Sequence, residues 1–173
     1  MDSESYMFGP YKIDSKEVFY STRLSYALVN LRPVVPEYVK IESGRARHIS
    51  TSVSICCFIL RDAKRFVDLT ADETSDIWLT AQKVGQQLES YHKASSLTFA
   101  IQDGPQAGQT VPHVHIHILP RKSGDFEKND EIYDAIDEKE KELNQKLDLD
   151  KEKKDRTMEE MAEEAANYRK LFI

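Results

Sequence analysis

The chain has 173 residues, 40% hydrophobic and 31% charged, with a net charge of −6. At about 100–200 residues per domain, that is one domain plus some tail, with enough apolar residues to bury a core without staples. A disulfide scaffold and a membrane span are both excluded. The only cysteines, Cys56 and Cys57, are adjacent, and the longest apolar run, Ile55 to Leu60, falls far short of the roughly 20 residues a span requires.

The charge is unevenly placed. Residues 125–173 hold 17 acids and 10 bases, whereas residues 1–124 hold 13 acids and 14 bases. The body is therefore almost neutral and does not repel an anionic substrate. No basic block stands out, so neither nucleic acid nor a membrane is expected as a partner. The start MDSESYMFG has no basic and no apolar stretch of a signal peptide. With no disulfide framework, this points to a reducing compartment: cytoplasm, with the nucleus as a further expected location.

In chain order, 17–31 alternates and is rich in aromatic and apolar residues, which predicts two short strands joined near Ser21–Arg23. Asn30 ends the second, and Arg32 to Pro36 enforces an extended turn. Thr70-Ala-Asp-Glu73 is a capping-box signature. Ile77, Ala81, Val84, Leu88 and Tyr91 then follow at helical spacing, predicting a helix over about 72–92, in which Gly85 implies a close neighbour. Trp78 and Tyr91 are expected in the core or at a dimer contact. Residues 96–102 alternate as a strand, 103–110 form a glycine-containing loop, and 111–119 alternate again up to Pro120. The charged stretch 125–156 is expected to be partly helical or mobile. Thr157-Met-Glu-Glu160 is a second capping box, and Met161, Ala165, Tyr168 and Phe172 predict a terminal helix over 157–173 that docks on the body.

Three of the five histidines, His113, His115 and His117, stand two apart in the last alternating segment. On a strand they share one face, with Val114, Ile116 and Ile118 turned to a core. Three imidazoles in register are poor core residues, because each ring needs polar partners. One chemical reading is a metal site, since imidazole is a common zinc ligand, yet no His-Asp or His-Glu partner motif accompanies the triplet. The other is nucleophilic catalysis at phosphorus: a neutral imidazole attacks, and flanking imidazoles meet the charge on the phosphate oxygens. The preceding loop, Gly104 to Thr110, offers backbone N–H groups free of bulky side chains, as a phosphate cradle requires.

His-Val-His-Ile-His-Ile-Leu (113–119) resembles the signature of the histidine triad superfamily. The flanks 97–113 and 119–126, together with 24–30, 32–36, 65–69 and 159–165, resemble its fragile histidine triad branch, the dinucleoside triphosphate hydrolases. That resemblance implies an α+β fold: an antiparallel sheet with a packed helix, a C-terminal helix and a two-fold dimer. The catalytic domain would be 1–124. The branch cleaves diadenosine triphosphate to AMP and ADP, and adenylyl sulfate and other adenylyl compounds are implied side substrates. His115 would be the nucleophile, donating its other ring N–H to a backbone carbonyl. His113 would support it, and His117 would contact the α-phosphate. Gln102, Gly108, Gln109, Thr110 and Val111 match nucleotide and phosphate contacts, Asn30 a ribose contact, and Tyr11 the place of a histidine near the base. Tyr133 matches a loop tyrosine that is phosphorylated in animal members. No tightly bound cofactor and no metal ligand are implied; a divalent cation such as magnesium is expected to stimulate. A nucleotide-bound signalling module and a nucleoside phosphoramidase are the alternative readings.

One stretch departs from the branch. Residues 37–60 exceed the family's segment by roughly 16 residues and replace a core strand. Either 38–42 supplies that strand, or 54–58 does, in step with 61–66. The second is favoured because it buries Ile55 and Cys57, whereas the first leaves an apolar, β-prone run exposed. A third reading is an inactive variant, in which 37–60 arises by alternative splicing or a misread exon boundary and the product folds poorly. Cys56 and Cys57 are read as buried thiols with no catalytic part.

Overall fold

The computed structural model describes residues 6–30, 38–42, 45–49, 55–145 and 157–173; for 38–42, 45–49 and 139–145 the description is of backbone. Two strands open the chain as a hairpin, β1 (Tyr6–Phe8) and β2 (Tyr11–Ile13), turned by Gly9 at a positive φ of 54°. The central sheet is built from β3 (Val18–Ser21), β4 (Ser25–Val29), β7 (Ile55–Ile59), β8 (Ser96–Ala100) and β9 (His115–Arg121). Its order is β3-β4-β7-β9-β8, every pair antiparallel. A separate hairpin, β5 (Tyr38–Glu42) and β6 (Arg45–Ile49), lies between β4 and β7 in the chain.

Side chains alternate across a strand, so each strand of this sheet serves two faces. One face carries Ala27, Val29, Ile55, Cys57, Ile59, Ile116 and Ile118. Helix α1 (Ala71–His92) covers it with Ile77, Ala81, Val84 and Leu88, all fully buried. Each large apolar side chain so buried contributes about 1.5–3 kcal/mol. The helix begins where expected: Thr70 Oγ accepts from the Glu73 N–H and the Glu73 carboxylate accepts from the Thr70 N–H. Arg61 donates twice to the same carboxylate and holds Glu73 down to about 2. Gly85 lets α1 close on β8: a Cβ there would stand 2.9 Å from Leu97 and 3.1 Å from Phe99.

The opposite face carries Tyr26 and Leu28 of β4, Cys56 and Phe58 of β7, and His115 and His117 of β9. The β1–β2 hairpin lies over it, placing Tyr6 against Tyr26 and Phe8 against Phe58. The chemistry therefore sits between the sheet and this hairpin.

The C-terminal part packs at two places. Helix α2 (Glu131–Gln145) buries Ile132 and Ile136 with Leu119. Helix α3 (Met158–Arg169) is capped by Thr157 and Glu160 and buries Met161, Ala165 and Tyr168 in the α1-side core. His92 at the end of α1 lies 2.8 Å from the Tyr168 hydroxyl, which donates to Glu164. The segment 146–156 lies outside the described residues.

Two expectations, both strand boundaries, are corrected. The final strand runs over 115–121, not 111–119, and it passes through Pro120. The His113 N–H closes a tight turn on the Val111 carbonyl, 2.8 Å, and the Val114 N–H bonds to Ala63, 2.8 Å. These partners take residues 111–114 out of the ladder, and Pro112 has no N–H to give it. Pro120 stands opposite Leu97 of β8. Residues 101 and 102 are not part of β8. Trp78 and Tyr91, expected in the core or at a dimer contact, are 41% and 47% exposed in the single chain, which leaves the second reading.

Candidate active site

The sheet register brings the site together. His115 stands opposite Phe58, and His117 opposite Cys56 on one side and Ala100 on the other. His113 enters from the turn before β9. All three imidazoles are buried, and their hydrogen bonds decide where each proton sits.

His113 accepts from the Gly9 N–H at Nδ1, 3.2 Å, and donates from Nε2 to the Ile59 carbonyl, 2.7 Å. Burial, above all, holds this imidazole below its usual range; the Ile59 hydrogen bond opposes that, and the His115 ring adds to it. A neutral His113 is what the Gly9 contact needs, since a protonated Nδ1 cannot accept. Gly9 is required there: its φ is positive, and a Cβ would come within 2.7 Å of Val111.

Nδ1 of His115 lies 2.9 Å from the His113 carbonyl. A carbonyl only accepts, so Nδ1 carries the proton and Nε2 carries the lone pair. This is the donation that the family resemblance implies. That Nε2 stands 3.2 Å from Nε2 of His117. Phe58 stacks on the His115 ring at 5.4 Å, and Phe8 meets it edge-on at 5.2 Å. The His115 ring is thus oriented by a backbone carbonyl and confined by two aromatic rings.

The loop before the histidines is braced from within. Asp103 accepts from Arg65 and from the Phe66 N–H. Gln109 Oε1 accepts from the Gly104 N–H at 3.0 Å, and its Nε2 donates to the Lys64 carbonyl and, at 3.4 Å, to the His113 carbonyl. Gln109 therefore supports the same carbonyl that orients His115. Gly108 has a φ of 90°, and a Cβ there would stand 2.6 Å from the Gln102 amide nitrogen. Gln102 donates to Asp137 of α2, while its Oε1 is buried with no hydrogen-bond partner among the described residues. Thr110 and Val111 complete the loop, with Val111 buried.

Asn30 sits at the end of β4 with its amide 3.9 Å from Cys56 Sγ. Tyr11 reaches the site indirectly, its ring 6.4 Å from that of Phe8. Among the described residues, no group of three or more His, Cys, Asp or Glu side chains is arranged to hold a metal ion. No helix among them is long and apolar enough to cross a membrane.

The sequence did not single out Phe8, Phe58, Cys56 or Asp137 as site residues. Cys56 and Phe58 follow from alternation once 55–59 is placed beside β9. Phe8 and Asp137 carry no local signal, because hairpin and helix reach the site through tertiary packing.

Comparison with known proteins agrees with this geometry. A model of the HIT domain matches residues 12–124. A bifunctional bis(5'-adenosyl)-triphosphatase/adenylylsulfatase of Arabidopsis thaliana is 67% identical over 168 residues, covering 97% of this chain and 84% of that protein. A bis(5'-adenosyl)-triphosphatase of Dictyostelium discoideum is 42% identical, covering 95% of this chain and 91% of its own length. Among solved structures, the diadenosine triphosphate hydrolase of Plasmodium falciparum matches with a TM-score of 0.60 and 33% identity, over 86% of this chain and 90% of that one. With its three histidines in the turn and strand that the signature demands, the chain belongs to the histidine triad family.

Proposed function

We propose that this chain is a dinucleoside triphosphate hydrolase that cleaves diadenosine triphosphate to AMP and ADP. The observation that carries the reading is the His115 hydrogen bond: with Nδ1–H held by the His113 carbonyl, the Nε2 lone pair points across the site. Nε2 attacks the α-phosphorus, forming a P–N bond as the bond to the bridging oxygen breaks and ADP leaves. Water then attacks the same phosphorus, breaks the P–N bond and releases AMP, which restores His115. His117 contacts the α-phosphate oxygens, and the 102–111 loop holds the remaining phosphates. Adenylyl sulfate is a second substrate of the same site, a reading supported by the name of the Arabidopsis relative. Magnesium assists by shielding the polyphosphate.

The working form is a two-fold dimer. Its support is the open edge of β8 beside half-exposed Phe99 and Trp78, whose rings contact each other. Light scattering on the purified chain should give twice the 19.9 kDa mass.

The test of function is chromatography of diadenosine triphosphate incubated with the purified chain, beside His115→Asn. AMP and ADP in equal amounts, abolished in the variant, are expected. A folded chain that binds the compound without releasing products favours the nucleotide-bound signalling module.

A further inference from the structure

Cys56 lies on the site face, has no part in the proposed mechanism, and yet touches His117. Its Sγ lies 3.2 Å from Nδ1 of His117, and both residues are buried. The register explains the contact, since Cys56 and His117 are directly opposed across β7 and β9. Cys57 has the other fate: it faces α1 in the core, with its thiol pushed far up by burial.

Hydrogen-bond logic runs along the row. His115 Nδ1 carries its proton, because its partner is a carbonyl. His115 Nε2 is therefore an acceptor, and His117 must present Nε2–H to it across 3.2 Å. Neutral His117 then has its lone pair on Nδ1, where the Cys56 S–H can donate. Losing that donor removes one of the hydrogen bonds that favour this tautomer, beside the His115 contact. Among the described residues, His113, Tyr26 of β4 and Tyr6 of β1 are titratable groups that also pack on this face. Tyr26 is pushed well up, above all by burial, so it stays protonated. Its hydroxyl donates to the Met7 carbonyl, 2.8 Å, so that proton is engaged elsewhere.

We infer that Cys56 is a positioning residue, whose thiol holds His117 as the Nε2–H tautomer so that the proton faces His115 and the α-phosphate. For the rate, this rests on the hydrolase reading; for the tautomer it does not.

The experiment follows both. Chains labelled with ¹⁵N in histidine, as wild type, Cys56→Ser, Cys56→Ala and Cys56→Val, are recorded by two-bond ¹H–¹⁵N correlation without nucleotide. Diadenosine triphosphate turnover is measured on the same samples. His117 should show the Nε2–H pattern in wild type and Cys56→Ser, and shift toward a mixed tautomer in Cys56→Ala and in Cys56→Val, which refills the space without a donor. In the latter two kcat should fall about tenfold with KM unchanged, the equivalent of one hydrogen bond of ordinary strength. Serine should retain kcat within about threefold, since it keeps an O–H donor. An unchanged His117 pattern in both donor-free variants overturns the inference, as does an equal loss in the serine variant. If wild type itself shows no turnover, the hydrolase reading fails while the tautomer result still decides the role of Cys56.

Discussion

Strands β7 and β9 lie side by side in the sheet, and both have a helix face and a site face. They reach that arrangement under different constraints. In β9 the site face carries two polar rings, His115 and His117, while Ile116 and Ile118 turn into the core. In β7 the site face carries Cys56 and Phe58, and alternation under the helix fixes the register through Ile55, Cys57 and Ile59. A slip of one residue would drive Cys56 and Phe58 into the α1 core and turn three apolar side chains onto the histidines. The comparison teaches that apolar alternation under the helix fixes the register of a strand, and with it which residues reach the site face.

The largest expected effect tests β9. His115→Asn should lower turnover by at least about 10³-fold, as loss of a covalent nucleophile does, with the melting temperature little changed; steady-state hydrolysis and thermal unfolding check this. Next comes the helix face of β7. Ile55→Ala or Ile59→Ala should cost about 2–5 kcal/mol in chemical denaturation, the range for a large buried side chain cut to alanine. If both cost under about 0.5 kcal/mol, β7 is not the core strand.

Replacing 31–53 with a short turn should leave hydrolysis within about threefold. Val29 and Ile55 are paired across the sheet, so a short connection can bridge them. Loss of activity with a retained fold would place that segment in the site.

Two smaller effects concern pH. Glu73 is held at about 2 by Arg61, below the ordinary carboxylate value of about 4.3. Its contribution to stability is complete above that ordinary value and is lost as pH falls toward 2. Denaturation midpoints of wild type and Glu73→Gln should therefore converge in acid. His92 is pushed down to about 4 by burial, with Lys122 adding to the effect. Its charged form is favoured on unfolding, so stability should fall as pH drops from about 6.5 to about 4. Hydrogen exchange should show α3, which His92 meets through Tyr168, loosening over that window.

Much of this architecture was legible in the residues. The capping boxes at Thr70 and Thr157 set the starts of α1 and α3, because local hydrogen bonds fix them. The choice of 54–58 over 38–42 as the replacement strand followed from burial alone, and β7 occupies 55–59. The His115-to-carbonyl bond was legible through the family signature. The start of β9 was not, since alternation continues through Val111 while its partners lie at Ala63 and within the turn. Phe8 and Asp137 were hidden for the same reason: what they touch is set by tertiary packing.

The most direct test of the central claim is rapid quenching of the chain with diadenosine triphosphate labelled in the α-phosphate, followed by peptide mapping. The account expects label on the peptide holding His115, bonded to imidazole nitrogen, formed as fast as ADP appears and cleared as AMP is released. Label on another residue, or ADP released with no labelled peptide at any time, would contradict it.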